Sequence, residues 1–229
     1  MPESKIPEYR AIPLPPQPRR KDSDMIESSR AYLEQMSTRH SVREFSDAPV
    51  PQAVIEQCIA TAGRAPSGAN QQPWHFVAVQ DPAMKAKIRE AAEIEEEAFY
   101  AGGGGDEWIS ALEPLGTGVD KPHLTTAPWL IVIFAQRYGE REDGSRYKHY
   151  YVPESVGIAT GFLISALHLA GLSCLTHTPN PMKFLNELLG RPKSEKPIMI
   201  LVVGHPSEDA CYPEASAIKK PLSEILSIK

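Results

Sequence analysis

Two uninterrupted apolar runs set the terms on which this chain can fold: Trp129-Leu130-Ile131-Val132-Ile133-Phe134 and Pro197-Ile198-Met199-Ile200-Leu201-Val202-Val203. Neither alternates polar with apolar residues, so each reads as a strand buried on both faces. Both fall far short of the roughly 20 apolar residues a membrane helix needs, and no other run approaches that length. A sheet covered on both faces requires helices on both sides of it.

The rest of the chain supplies them. Residues 1–22 crowd Pro13, Pro15, Pro16 and Pro18 among charges and read as an extended arm. Ser23 or Asp24 caps a helix to about Thr38, with Met25, Ile26, Leu33 and Met36 drifting along one face. Pro51 suits the first position of a second helix, ended by Gly63, that buries Val54, Ile55, Cys58, Ile59 and Ala62. Phe76–Val79 reads as a strand, and Asp81-Pro82 opens a third helix through about Ala101. Gly102 to Gly105 break that helix, and residues 102–122 read as a flexible lid. Residues 139–145 form a polar turn. Residues 154–170 are apolar almost all round, as in a central helix or one buried by a partner subunit. Strand Leu172–Thr178, a short helix over 181–189 and an amphipathic tail over 219–229 complete the chain. Strands and helices alternate in one domain over 23–229, so the class is α/β or α+β, without repeats.

Composition narrows the function. A formal charge of −5 argues against nucleic acid as the main partner. The three cysteines are widely spaced and form neither a disulfide framework nor a zinc motif. With no apolar signal-peptide core at the N-terminus, the expected location is cytoplasmic, away from membranes. No G-x-S-x-G elbow, H-E-x-x-H pair or G-x-G-x-x-G fingerprint occurs, and no metal site is expected. The four consecutive glycines follow no strand and precede no Gly-Lys-Ser/Thr, so they are not a phosphate loop.

What remains is Arg39-His40-Ser41-Val42-Arg43, two guanidiniums and a hydroxyl that suit an anion. Taken alone, it reads better as a solvated basic turn with a local ion pair to Glu44. A loop from Ala65 to Trp74 (Pro66, Ser67, Gly68, Ala69 and Asn70 among its residues) is rich in exposed amides. Glu96 and Tyr100, four apart, share a helix face, and Lys121 could fold back onto them. That face also fits a solvated acidic surface, to which Glu93, Glu95 and Glu97 are assigned.

Together these stretches resemble the nitroreductase family, and within it the iodotyrosine deiodinase branch. The likeness rests on Arg39–Arg43, the Ala65–Trp74 loop, Gly190-Arg191-Pro192, Gly204-His205-Pro206 and Lys219-Lys220-Pro221-Leu222. The narrower likeness adds Glu95-Glu96-Glu97 with Tyr100, Lys121, His149-Tyr150-Tyr151 and Thr176-His177-Thr178-Pro179. The resemblance implies an α+β, three-layer fold with a mostly antiparallel central sheet, in an intertwined homodimer. It implies bound FMN: Arg39 and Ser41 at the phosphate with His40 among the cofactor-binding residues, Arg43 at the pyrimidine edge, and Pro66, Ser67 and Gly68 along the ring. Thr176, His177 and Thr178 would arrive from the other subunit, with Thr178 the catalytic donor toward flavin N5. Lys219 would stand where the family has a phosphate-binding Arg. Glu96, Tyr100 and Lys121 would grip an amino-acid zwitterion while the Ala69 amide meets a phenolate. The implied reaction is reductive dehalogenation of mono- and diiodotyrosine, with bromo- and chlorotyrosine as further candidates and an unidentified electron donor. The competing readings are an NAD(P)H-dependent nitro- or quinone reductase and a flavin- or halotyrosine-binding protein without turnover. Gly102 to Gly105 imply a lid disordered until ligand binds.

Overall fold

In the computed structural model, residues 9–229 are described, so residues 1–8 of the expected N-terminal arm lie outside them. The chain divides into two compact units, one ending at Ser37 and the other spanning Thr38–Lys229. The boundary thus follows the first helix, where the sequence placed it before that helix. In the first unit, α1 (Asp22–Ser37) contains no buried residue, so its apolar positions do not make a core face.

The second unit is built on the two apolar runs. Its elements are α2 (Gln52–Ala62), β1 (Trp74–Val79), α3 (Pro82–Ala98), α4 (Asp106–Leu112), α5 (His123–Thr126), β2 (Trp129–Gln136), β3 (Tyr138–Glu140), β4 (Arg146–Lys148), α6 (Val152–Leu169), β5 (Ser173–His177), α7 (Phe184–Leu188), β6 (Glu195–Gly204), α8 (Glu214–Ala217) and α9 (Leu222–Ile225). The main sheet has the order β1-β2-β6-β5. Every pairing in it is antiparallel. The two apolar runs are therefore its central strands.

Alternation along β2 divides the core into two layers. Trp129, Ile131 and Ile133 pack with Ile55 and Cys58 of α2 and Val156, Leu163 and Leu167 of α6. Leu130, Val132 and Phe134 face the other way, onto Ile88 and Ala92 of α3, Leu124 of α5 and Leu185 of α7. This is the expected three-layer α+β arrangement. By length and composition α6 could cross a membrane, contrary to the expectation that no segment could. One face of it nevertheless belongs to the core, while Ile158, Phe162 and Leu169 on the rest are exposed.

Local signals explain most boundaries. Asp81 caps α3 by accepting from the Met84 amide at 2.8 Å, with Pro82 as the first helical residue. Pro51 caps α2 from just outside rather than starting it. The polar stretch after β2 is a hairpin, β3–β4, turned by Asp143 and by Gly144 at φ 82°. Its strands are three residues long and largely exposed, so they carry no hydrophobic period to read.

Candidate active site

On the α3/α5 side of the sheet, the end of α3, the segment before α5 and the edge strand β5 enclose one cavity. Arg43, Glu96, Tyr100, Lys121, Thr176, His177 and Thr178 all line it. Glu96 lies in the last turns of α3, while Tyr100 falls in the single π-turn Phe99–Gly103 that follows. The Lys121 ammonium stands 3.1 Å from Glu96 Oε2, with the two side chains only 6% and 13% exposed. Lys121 Nζ also lies 5.7 Å from the Tyr100 ring centre. The Tyr100 and Thr117 hydroxyls are hydrogen-bonded.

Lys121 is held there by its own backbone. Its amide donates to Glu93 Oε1 at 2.7 Å, and the same oxygen accepts from Arg89 Nε at 2.7 Å. Arg89 also pairs with Asp120 at 2.6 Å. Burial opposes ionisation of Glu93, but the Lys121 amide and Arg89 hold its carboxyl below the usual carboxylate range. Glu93 therefore does not belong to a solvated acidic face, and Glu95 lines the cavity; of that set Glu97 alone falls among the exposed residues. A second tie comes from buried Lys85, whose ammonium donates to the Thr125 and Ala127 carbonyls at 3.1 and 2.7 Å and so closes the end of α5.

The glycine run differs from the disordered lid expected. Gly102 and Gly105 take φ values of 118° and 73° and turn the chain into α4. A Cβ on Gly104 would collide with the Phe99 ring, which meets Tyr100 and Trp108 edge-on at 5.2 and 5.1 Å. These glycines permit a tight aromatic turn over the cavity, where propensity alone predicted loss of structure.

The anion-binding stretch is extended, as expected, but the structure divides it. Ser41 bridges to Cys174 of β5, and the Val42 amide donates to the Cys174 carbonyl at 3.4 Å. Arg43 then lines the same cavity as Thr176 and Thr178. That corrects the expectation that the threonines reach Arg43 from another subunit: one chain supplies all three, because the 41–43 segment runs beside β5. Burial pulls the Arg43 guanidinium below its ordinary pKa, against an opposing influence of Tyr100. Arg39 and His40 instead line a separate pocket, where His40 stacks on Tyr212 at 3.7 Å and 8°.

Pro66, Ser67, Gly68 and Ala69 do not line the Glu96–Lys121 cavity. Their loop is clasped to the start of α6: the Gly68 amide donates to Ser155 Oγ at 3.3 Å, and a Cβ on Gly68 would come within 2.6 Å of the Tyr150 carbonyl. Gln71 bridges to the Lys148 carbonyl and the Tyr150 amide at 2.9 and 2.8 Å. Ala69, Asn70 and Gln72 all take left-handed φ values near 50°. Such strain in an anchored loop is a marker of a backbone kept for function. Lys219 is exposed, bonds the Ser216 carbonyl at 2.6 Å, and is not brought to the cavity.

Sequence reasoning missed His123. It lines the cavity beside His177, the rings edge-on with centres 5.5 Å apart. Both are 6% exposed, and neither Nε2 has a hydrogen-bond partner among the described residues. Burial, reinforced by Lys121 and Arg43, pushes His123 down to about 4. Burial, with His123 and Lys121, pushes His177 down to about 3. Both imidazoles are therefore neutral at pH 7. His177 Nε2 stands 4.0 Å from Glu96 Oε1, too far for a hydrogen bond. Only the cluster itself reveals His123, since a lone His after Lys121-Pro122 carries no periodic signal.

A four-stranded antiparallel sheet between two helical layers, with a cation, hydroxyls and a zwitterion-sized charge pair at its edge, is a recognisable combination. The nitroreductase family model matches residues 36–205, and the chain belongs to that family. An iodotyrosine deiodinase of Haliscomenobacter hydrossis is 51% identical over 191 residues, 83% of this chain and 86% of that protein. The iodotyrosine deiodinase 1 of Homo sapiens is 45% identical over 206 residues, 90% of this chain and 71% of that protein. A crystal structure of oxidised iodotyrosine deiodinase bound to FMN and 3-iodo-L-tyrosine superposes with a TM-score of 0.71 at 28% identity, covering 86% of this chain and 97% of that one.

Proposed function

We propose that this chain binds FMN and reductively dehalogenates 3-iodotyrosine and 3,5-diiodotyrosine, releasing tyrosine and iodide. The observation that carries it is the buried Glu96–Lys121 pair beside Tyr100, opposite Arg43 and the Thr176 and Thr178 hydroxyls in one cavity. A free α-amino acid presents an ammonium and a carboxylate together. Glu96 fits the first; Lys121 and the Tyr100 hydroxyl fit the second. In the structure these groups satisfy one another, so the ligand exchanges one set of charge partners for another and no bare charge is created.

The donor set also fits a flavin. Arg43 offers a cation to the pyrimidine edge, and Thr178 a donor toward N5. When bound, FMN supplies the two electrons that, with one proton, replace the carbon–iodine bond by carbon–hydrogen and release iodide. The protein's share is to grip the zwitterion, hold the ring against the flavin and exclude water. Phe99, Trp108 and the tight glycine turn serve the last task from the lid. The ring phenolate is assigned to the Ala69 amide of a partner chain, since that loop is absent from the cavity of its own chain. A homodimer, with the exposed apolar face of α6 in its interface, therefore belongs to the same proposal. So do an as yet unidentified electron donor and a reducing, cytoplasmic setting, the latter supported by three unpaired cysteines.

The test is ligand discrimination by the FMN-loaded protein. Iodotyrosine is expected to bind at least tenfold more tightly than 2-iodophenol, which lacks the zwitterion. Equal affinity, together with rapid turnover of nitroarenes, would instead support the nitro- or quinone-reductase reading.

A further inference from the structure

We infer that His177 is a substrate-binding residue that accepts a hydrogen bond from the α-ammonium of the amino acid, side by side with Glu96. This rests on the halotyrosine reading above and deepens it. The resemblance placed His177 with Thr176 and Thr178 along the cofactor, but strand alternation separates them: the two threonines are exposed and His177 is buried. The imidazole thus turns toward Glu96 and away from the face the threonines present.

Three observations converge on the ammonium. His177 is 6% exposed and its Nε2 has no hydrogen-bond partner among the described residues, an arrangement that folded proteins avoid unless a ligand or water completes it. Nε2 and Glu96 Oε1 lie 4.0 Å apart. A single nitrogen about 2.9 Å from each fits between two acceptors at that spacing. An ammonium carries three N–H donors, more than one carboxylate oxygen can use, and a neutral imidazole supplies a lone pair without adding charge. His123 lies edge-on to His177, with ring centres 5.5 Å apart. Lys121, already within 3.1 Å of Glu96, is the group the incoming ammonium replaces, which frees it for the carboxylate.

The experiment compares 3-iodotyrosine with its des-amino analogue, 3-(3-iodo-4-hydroxyphenyl)propionate, on the FMN-loaded full chain, with Kd read from flavin fluorescence and calorimetry. His177→Leu is expected to weaken iodotyrosine tenfold or more and leave the analogue within twofold, while His177→Gln, which keeps an acceptor, recovers most of the loss. In parallel, NMR of histidine-labelled wild type is expected to show the His177 Nε2 resonance shifting with iodotyrosine and not with the analogue. This second measurement stands even if the Leu variant fails to fold. Equal weakening of both ligands, no weakening, or an unmoved Nε2 resonance overturns the inference alone. Wild-type protein that does not bind iodotyrosine overturns the halotyrosine reading and the inference with it.

Discussion

The two regions assigned to the substrate differ in how they are completed. The Glu96–Tyr100–Lys121 clamp is assembled within one chain, its charges paired and its backbone tied by Glu93 and Arg89. The Ser67–Ala69 loop is equally well anchored, to Ser155, Lys148 and Tyr150, yet lines no part of that cavity. Rigidity without proximity is the informative combination. On the homodimer proposed above, a loop held in left-handed backbone conformations, away from the clamp of its own chain, would meet the clamp of another copy. In that proposal the clamp would supply amino-acid selectivity and the loop would be completed by assembly.

The largest effect that would break this comparison is on the clamp. Lys121→Ala should abolish measurable iodotyrosine binding while FMN absorbance is retained, and should cost about 3 kcal/mol of stability by stranding Glu96, whose side chain is 13% exposed. The double variant Glu96→Gln with Lys121→Met should recover most of the stability and none of the binding. Loss of flavin with unchanged substrate affinity would show the clamp to be misassigned.

Next in size is the loop. Gly68→Ala puts a Cβ 2.6 Å from the Tyr150 carbonyl and should reduce turnover by an order of magnitude or more. Mixing it with Glu96→Gln chains sharpens the point. If the clamp and loop of each site come from different chains, a mixed dimer has one intact site, and activity reappears to about half the wild-type level per mixed dimer. No recovery on mixing would place both regions in one chain's site.

Acid stability is a smaller test of the clamp's floor. His123 and His177 have folded pKa values near 4 and 3, below the unfolded value of 6.5. The unfolded chain therefore binds more protons in between, so their contribution is fully present above pH 6.5 and is lost as pH falls toward 4 and 3. Lowering pH from 7 to 5 should cost about 2 kcal/mol from each imidazole, about 4 kcal/mol from the pair, and His177→Thr should flatten the Tm–pH slope in that window without changing it above pH 7. An unchanged slope would mean that the imidazole is not buried neutral.

The smallest effect is in the lid. Gly104→Ala should cost about 1 kcal/mol by displacing the Phe99 ring, visible as a slightly lower Tm and faster exchange of the α4 amides.

The core was legible because two strands announce burial on both faces, and helices with clear caps, such as Asp81-Pro82, could be placed around them. Glu96, Tyr100 and Lys121 were legible as an ordered set of residue types whose spacing meant little singly. Three things were not. The glycine run was read through helix propensity, which is blind to the Phe99 ring that a Cβ on Gly104 would meet and to the positive φ of Gly102 and Gly105. The β3–β4 hairpin lacked hydrophobic alternation, although Asp143-Gly144 signals such a turn. His123 and the inward turn of His177 are revealed by the edge-on contact of their rings, between residues some 50 positions apart, which no local pattern encodes.

The most direct measurement is an anaerobic single turnover. FMN-loaded protein is reduced chemically and mixed with 3,5-diiodotyrosine while flavin absorbance, tyrosine and iodide are followed. The account predicts flavin reoxidation with one iodide released and one 3-iodotyrosine formed per two electrons supplied, and tyrosine only when a second pair of electrons follows. Flavin that stays reduced beside diiodotyrosine, yet reoxidises when a nitroarene is added, would contradict it.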